Sequence, residues 1–237
     1  MIYKLFNKVS INFIIYRLHK LFYFKQIIKR DNFKFLIDKK LVPLYNLKGL
    51  IIRFQDHEKD EKKIIHKFLE PNNTLELGCS IGVLSLYIKK IILDYNLISI
   101  DANKQAIEYC KTIFELNRIK NFNFIYHSIG GNGFKVDSSN FLSSRNNYSN
   151  EINLENSNKF LNELIKRHKI KNLVIDIEGM EEFIFYILDL KKIEVIIIEF
   201  HPNLYISKTK EQLIAKIESQ NFLYKYKINE NYCFKKN

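Results

Sequence analysis

The stretch Leu75-Glu76-Leu77-Gly78-Cys79-Ser80-Ile81-Gly82, running straight into Val83-Leu84-Ser85-Leu86-Tyr87-Ile88-Lys89-Lys90, restricts this chain more than any other. Thr74 to Leu77 reads as a short buried strand, and Ile81 to Ile92 carries apolar residues at helical spacing. Between them lies a turn with two glycines four apart. Such a turn takes the backbone from strand to helix and leaves room for a ligand against the helix N-terminus. A second run, Leu97-Ile98-Ser99-Ile100, ends in Asp101. Its distance from the turn is close to the roughly 20 residues expected between a glycine turn and a ribose-binding carboxylate.

Three readings of the turn are open. A dinucleotide fingerprint needs glycines where this chain has Ser80 and Val83, and Glu76 would set a carboxylate beside a pyrophosphate, where like charges repel. Gly78-Cys79-Ser80-Ile81-Gly82 also spells the Gly-x-Ser-x-Gly nucleophile elbow of hydrolases, in the required strand-to-helix setting. The third ligand is a nucleoside without phosphates but with a cationic end, such as S-adenosylmethionine. Glu76 then faces a positive amino group and sulfonium, and this reading is favoured.

The chain around the turn is one sizeable core with an appendage: 237 residues, 46% of them hydrophobic, suffice for a single domain of this kind. Three widely spaced cysteines, Cys79, Cys110 and Cys233, suggest neither a disulfide framework nor a metal site, and a reduced cytoplasmic compartment is expected. The early run Ile11-Asn12-Phe13-Ile14-Ile15-Tyr16 is too short for a membrane span and lacks the small residues of a signal cleavage site. The formal charge of +12 is concentrated: residues 1–40 hold ten lysines and arginines against Asp31 and Asp38. Residues 1–56 therefore read as a basic, aromatic-rich helical segment, and 57–237 as the ligand-binding domain. Within 2–24, Ile2, Leu5, Phe6, Val9 and Phe13 fall at helical spacing, as do Leu18, Leu21 and Phe22. Helices packed on the domain with a solvated basic side are expected; peripheral contact with an anionic membrane at the inner surface is the second reading. No nucleic-acid motif accompanies the charge, so no nucleic-acid partner is expected.

Residues 32–54 are short apolar clusters broken by Pro43 and Gly49 and take no assignment. Asp56 to Leu69 reads as an amphipathic helix, and Pro71-Asn72-Asn73 turns the chain into the strand at Leu75. Helix Lys104–Asn117 and strand Phe122–Tyr126 follow, then a Gly/Ser/Asn-rich loop from Gly130 to Asn150. Next come helix Leu154–His168, strand Leu173–Ile177, helix Met180–Leu190, strand Val195–Phe200 and helix Lys210–Ser219. Phe222–Tyr226 and Tyr232–Phe234 close the chain as a hairpin across Asn229-Glu230-Asn231. The expected fold is α/β: a doubly wound, mainly parallel sheet with a C-terminal antiparallel hairpin, the Leu75–Leu77 strand central and Val195–Phe200 beyond Leu173–Ile177.

In such sheets ligands sit beyond the carboxyl ends of the strands. Polar residues interrupt the apolar runs at those ends: Glu76, Asp101, His127 with Ser128, Asp176 with Glu178, and Glu199 with His201. Each has a plainer role open to it. Asp101 could cap the next helix, Glu181 and Glu182 could complement a helix N-terminus, and His201 before Pro202 could be an ordinary loop histidine. Their convergence on one sheet edge favours a site.

Taken together, Glu76-Leu77-Gly78-Cys79-Ser80-Ile81-Gly82, Asp101, Ser128-Ile129-Gly130, Asp176-Ile177-Glu178-Gly179-Met180-Glu181 and Glu199-Phe200-His201 resemble the FkbM family of S-adenosylmethionine-dependent methyltransferases. The resemblance spans roughly residues 57–202 and is most specific in the Asp-Ile-Glu-Gly-Met-Glu block. It implies a class I (Rossmann-like) methyltransferase fold and O-methylation of a hydroxyl on a sugar, glycan or small metabolite. It also implies that Glu76, Gly78, Ser80 and Gly82 line the methionine end of the cofactor, that Asp101 binds the ribose, and that Ser128 belongs to the cofactor site. Val174 stands where the family often has a lysine.

His201 is the expected base, because unperturbed histidine titrates near neutral pH; Glu199 is expected to orient its ring, and Asp176 and Glu178 to hold the acceptor or assist. No residue is assigned to a metal. Two alternatives stay open: a serine esterase using Ser80, Asp176 and His201, which occur in the chain order of α/β-hydrolases, and a non-catalytic adaptor that keeps the cofactor fold. The acceptor, metal dependence and oligomeric state are not legible in the sequence.

Overall fold

The computed structural model describes residues 13–18, 21, 25–38, 40–41, 58–130, 134–135, 147–148 and 154–237. The first elements are a β-hairpin, β1 (Gln26–Arg30) and β2 (Phe33–Ile37), paired from Gln26↔Ile37 to Arg30↔Phe33. Asp31 and Asn32 turn it with φ of 47° and 70°, so both central residues are left-handed, as a tight hairpin turn matching strand twist requires. Residues 1–56 are thus not simply helical. Among the described residues of that segment, 13–18 and 21 are helical and the rest of its regular structure is this hairpin.

After α1 (Lys59–Phe68) comes the alternation expected from the apolar runs: β3 (Thr74–Leu77), α2 (Val83–Ile92), β4 (Leu97–Asp101), α3 (Lys104–Leu116) and β5 (Phe122–Tyr126). A two-residue ladder, β6 (Phe134–Lys135) with β7 (Asn147–Tyr148), lies within the Gly130–Asn150 loop, whose remaining residues from 131 on are outside the described set. Then follow α4 (Glu155–His168), β8 (Asn172–Ile175), α5 (Glu181–Ile187), β9 (Val195–Glu199), a 3-10 turn (Pro202–Leu204), α6 (Lys210–Glu218), β10 (Phe222–Ile228) and β11 (Asn231–Lys236).

The seven-stranded sheet runs β10-β11-β9-β8-β3-β4-β5. β3, β4, β5, β8 and β9 are parallel, while β11 pairs antiparallel with β9 and with β10. β3 is central, β4 is beside it and β9 is beyond β8, as expected. The chain reverses its winding between β3 and β8, and this is where ligands bind in open α/β sheets.

Two cores follow from strands buried on both faces. Ile64 and Ile65 of α1, Leu86 and Ile88 of α2, and Ile107, Ile113 and Phe114 of α3 pack on one face of the sheet, with Phe35 and Ile37 of the hairpin. Leu161 of α4, Ile184 and Phe185 of α5, and Leu213 and Ile217 of α6 cover the other. The hairpin is fixed to the first layer by polar contacts: Asn117 exchanges two hydrogen bonds with the Lys34 backbone (both 2.7 Å), and the Tyr109 hydroxyl donates to Leu36 O at 2.8 Å. Ile15 and Tyr16 of the N-terminal helix pack on the same layer, whereas Phe13, Ile14, Leu18 and Leu21 are exposed. Among the described residues no helix is long and apolar enough to cross a membrane.

Candidate functional site

The turn after β3 is held open by its backbone. Gly78 (φ 88°) and Gly82 (φ 74°) are left-handed, and so is Ser80 (φ 46°), a conformation that costs a non-glycine residue on the order of 1 kcal/mol or more. The amide of Ser80 donates to Asp101 Oδ2 at 2.8 Å, and the amide of Asn103 donates to Oδ1 at 2.7 Å. The ribose candidate and the glycine turn are therefore one hydrogen-bonded unit. Asp101 does not cap α3; the Asn103 side chain does, accepting from the amides of Gln105 and Ala106. Burial pushes Asp101 up to about 6, and its two amide donors restrain the rise.

Glu76 sits beneath the turn with 1% of its surface exposed. Its Oε2 accepts from the hydroxyls of Ser85 (2.6 Å) and Ser99, while Oε1 is buried without a partner. Burial lifts its carboxyl to about 8, against the two serine hydrogen bonds. A buried carboxyl with one idle oxygen fits a cationic ligand group, whose arrival would stabilise the ionised form. Ser128 Oγ, at the carboxyl end of the β5 region, is a second buried atom without a partner. His127 beside it is engaged with α4, 3.2 Å from Ser157 Oγ and packed on the ring of Phe160.

Across the switch point lies the acidic block. β8 ends at Ile175, two residues short of the expected Ile177, because the chain turns there: Glu178 (φ 48°) and Gly179 (φ 99°) are left-handed. The turn brings Asp176 and Glu178 beside His201, which follows β9. His201 Nε2 lies 3.7 Å from Asp176 Oδ1 and 3.9 Å from Glu178 Oε2. The three residues named as catalytic candidates are thus adjacent.

The group that orients His201 is Glu181, not Glu199. Its Oε1 lies 2.9 Å from His201 Nδ1, and the carboxylate is fixed by the amides of Gly179 (2.9 Å) and Ile177 (3.3 Å). Glu181 is fully buried at the start of α5. The Tyr205 hydroxyl accepts from the His201 amide at 3.1 Å and interacts with the same carboxyl. Sequence reading gave Glu181 only the complement of a helix N-terminus. Its spacing from Asp176 within one short block was the available signal, but its partner comes from another strand.

Burial alone would lower His201, yet the hydrogen bond to Glu181 and the charges of Asp176, Glu181 and Glu178 win and hold it up at about 10. Asp176 is raised well above its ordinary range, first by burial, and Glu199 is raised to about 9 by burial and by Asp176. His201 is therefore not the near-neutral histidine expected from the sequence, and burial and crowding disfavour a full set of negative charges on the carboxyls. The esterase alternative does not fit this geometry. In a Ser-His-Asp triad the acid holds Nδ1 and the serine meets Nε2. Here Glu181 holds Nδ1, and Asp176 and Glu178 lie on the Nε2 side.

A family model for the tellurite resistance protein TehB, a family of S-adenosylmethionine-dependent methyltransferases, matches residues 55–147, the stretch that carries the glycine turn and Asp101. No curated protein matches the sequence. Among solved structures, a Streptococcus mutans protein provisionally named as a SAM-dependent methyltransferase aligns over 89% of this chain at 12% identity with a TM-score of 0.50, and this chain spans 54% of its length. The tRNA (uracil-54, C5)-methyltransferase of Pyrococcus abyssi, solved with S-adenosyl-L-homocysteine, aligns over 89% of this chain and 43% of its own at 12% identity (TM-score 0.48). TYW2 of M. jannaschii, solved with AdoMet, aligns over 89% of this chain and 83% of its own at 12% identity (TM-score 0.47). The strand order, with β11 inserted antiparallel between β9 and β10, together with the Streptococcus likeness, gives this chain the class I methyltransferase fold.

Proposed function

We propose that this protein is an S-adenosylmethionine-dependent methyltransferase that methylates a hydroxyl of a sugar, glycan or small metabolite, in line with the FkbM-like motifs. One observation carries the reading most: at the switch point, a glycine turn tied to Asp101 through the Ser80 amide faces the His201–Asp176–Glu178 cluster across the β3–β8 boundary. Glu76, Gly78, Ser80 and Gly82 would hold the cofactor's methionine end, Asp101 its ribose, and Ser128 a further polar atom. When bound, the cofactor supplies a methyl on a sulfonium; the acceptor oxygen bonds to that carbon as the carbon–sulfur bond breaks and its electron pair stays on sulfur. The chain's own residues align the acceptor and remove its proton. Within the His201–Asp176–Glu178 cluster the carboxyls accept the proton, and His201, its ring fixed by Glu181, orients them and the acceptor hydroxyl. Four carboxyl groups around this point disfavour a phosphate-bearing acceptor, so a neutral polyol is the better fit.

Residues 1–24 take a surface role in the same reading. Exposed Phe13, Ile14, Leu18 and Leu21 beside Arg17 suit peripheral contact with an anionic membrane.

Calorimetry with S-adenosylhomocysteine tests the central claim. Wild-type protein should bind it, and Asp101→Ala should lose about 1–3 kcal/mol, since the ribose hydroxyls lose their acceptor. Undiminished binding by Asp101→Ala would move the ribose elsewhere, and no binding by wild type would remove the methyltransferase reading.

A further inference from the structure

His201, Asp176 and Glu199 each offer one ligand atom, and the three atoms lie within 4.8 Å of one another. We propose that these residues hold a divalent transition-metal ion of the manganese(II) class, bound through His201 Nε2 and one oxygen each of Asp176 and Glu199. The inference rests on the methyltransferase reading for its use, but not for its geometry.

Four observations support it. First, Asp176 Oδ1 is fully shielded from solvent and has no hydrogen-bond partner, while lying 3.7 Å from His201 Nε2. Moving both atoms onto one ion needs only small side-chain shifts. Second, the opposite ring nitrogen is already committed: Glu181 holds Nδ1 at 2.9 Å and is itself locked by two backbone amides. A carboxylate on the far nitrogen fixes the ring and raises its basicity, the usual support behind a metal-bound histidine. Third, the leading charges acting on His201 are the carboxyls of Asp176, Glu181 and Glu178, and Glu199 acts on it as well. Fourth, the Glu199 carboxyl is crowded by those of Asp176 and of Glu61 of α1, like charges whose repulsion a cation at this point would relieve.

The donor set selects the ion. One imidazole nitrogen with two carboxylate oxygens suits manganese(II) or another first-row divalent ion better than magnesium or calcium, which prefer all-oxygen shells. Three protein ligands leave positions open on a six-coordinate ion. An acceptor hydroxyl bound there loses its proton more readily, and the proton passes to Glu178, which lies 3.9 Å from His201 Nε2 and is not a ligand. With the ion in place of a proton on Nε2, the tasks of the cluster separate: His201, Asp176 and Glu199 bind the ion, Glu181 is a positioning residue, and Glu178 alone receives the proton.

The test is Mn2+ binding to the full chain after chelator treatment, read as loss of the free aqueous Mn2+ spin-resonance signal. Wild type should take up one equivalent. Asp176→Asn and Glu199→Gln should each weaken uptake by more than tenfold, and Glu181→Gln should weaken it roughly 10–100-fold by releasing the ring. S-adenosylhomocysteine titration of the same samples monitors the fold and the cofactor reading separately. Wild-type protein that leaves the Mn2+ signal unchanged overturns the metal site, as does wild-type uptake by both ligand variants. Mn2+ uptake without S-adenosylhomocysteine binding would keep the site and overturn the methyltransferase reading. If one ligand variant loses both ligands through misfolding, the other still decides.

Discussion

A β-carbon placed on Gly78 would lie 1.6 Å from the carbonyl oxygen of Asp176. The turn after β3 and the acidic block after β8 therefore touch backbone to backbone, and the amide of Asp176 donates to Leu77 O at 2.9 Å just beside the contact. Gly78→Ala meets both this clash and a φ of 88°. It should destabilise the protein by about 3 kcal/mol or more, seen as a lowered melting temperature, and remove S-adenosylhomocysteine binding. An alanine variant that melts like wild type would mean that the two turns are not in contact.

His201→Ala should lower kcat by roughly 10²–10⁴ while cofactor binding stays intact, because the ring lies on the acceptor side of the site. Glu181→Gln should lower kcat by roughly tenfold or more, since the charge behind the ring is lost while its shape is kept. Equal cofactor affinity in both variants, checked by calorimetry, separates these effects from misfolding. A nearly silent His201→Ala would leave Asp176 or Glu178 as the sole activating groups.

Stability should fall as pH rises from 5 to 9. Glu76 moves from an ordinary 4.5 to about 8 on folding, and Glu58 makes the same move. Between those values only the folded state keeps the proton, so folding is favoured below the window and progressively less within it. His201, raised from 6.5 to about 10, has the same sign over the upper part of the range. Thermal melts at pH 5, 7 and 9 should show steadily lower midpoints, and Glu76→Gln should flatten the slope. A midpoint that climbs with pH would mean that these groups are ionised in the folded protein.

Vesicle sedimentation tests the N-terminal surface. Full-length protein should bind vesicles rich in anionic lipid at low salt and release at high salt; deletion of residues 1–24 should abolish this and leave S-adenosylhomocysteine affinity unchanged. Indifference to anionic vesicles at low salt would assign the segment to packing alone, through Ile15 and Tyr16.

The parallel core was legible because its strands are apolar on both faces and each is followed by helical periodicity. β3 is buried at all four positions, and the strand β4 that pairs with it at all but its last residue, Asp101. The hairpin of β1 and β2 was missed for a local reason. Asp31-Asn32 supplies the left-handed turn without any glycine, and Gln-Ile-Ile-Lys-Arg does not alternate cleanly between apolar and polar. At the site, Asp176, Glu178 and His201 stood out as polar residues ending apolar strands. Glu181 did not, because its partner arrives twenty residues later from β9, and only the fold sets them 2.9 Å apart. Strand alternation rightly put Glu199 on the side of His201, their ligand atoms lying within 4.8 Å, but the ring nitrogen it was expected to hold is taken by Glu181.

Ser80 and Glu178 hold left-handed backbones without being glycine, one in each of the two turns that meet at the switch point. Glycine or asparagine would relieve both, so these are positions where selection for thermal robustness alone would replace the residue. At Ser80 and Glu178, engineered hardiness and turnover would pull in opposite directions: a variant relaxed at both should outlast the parent on heating and turn over more slowly.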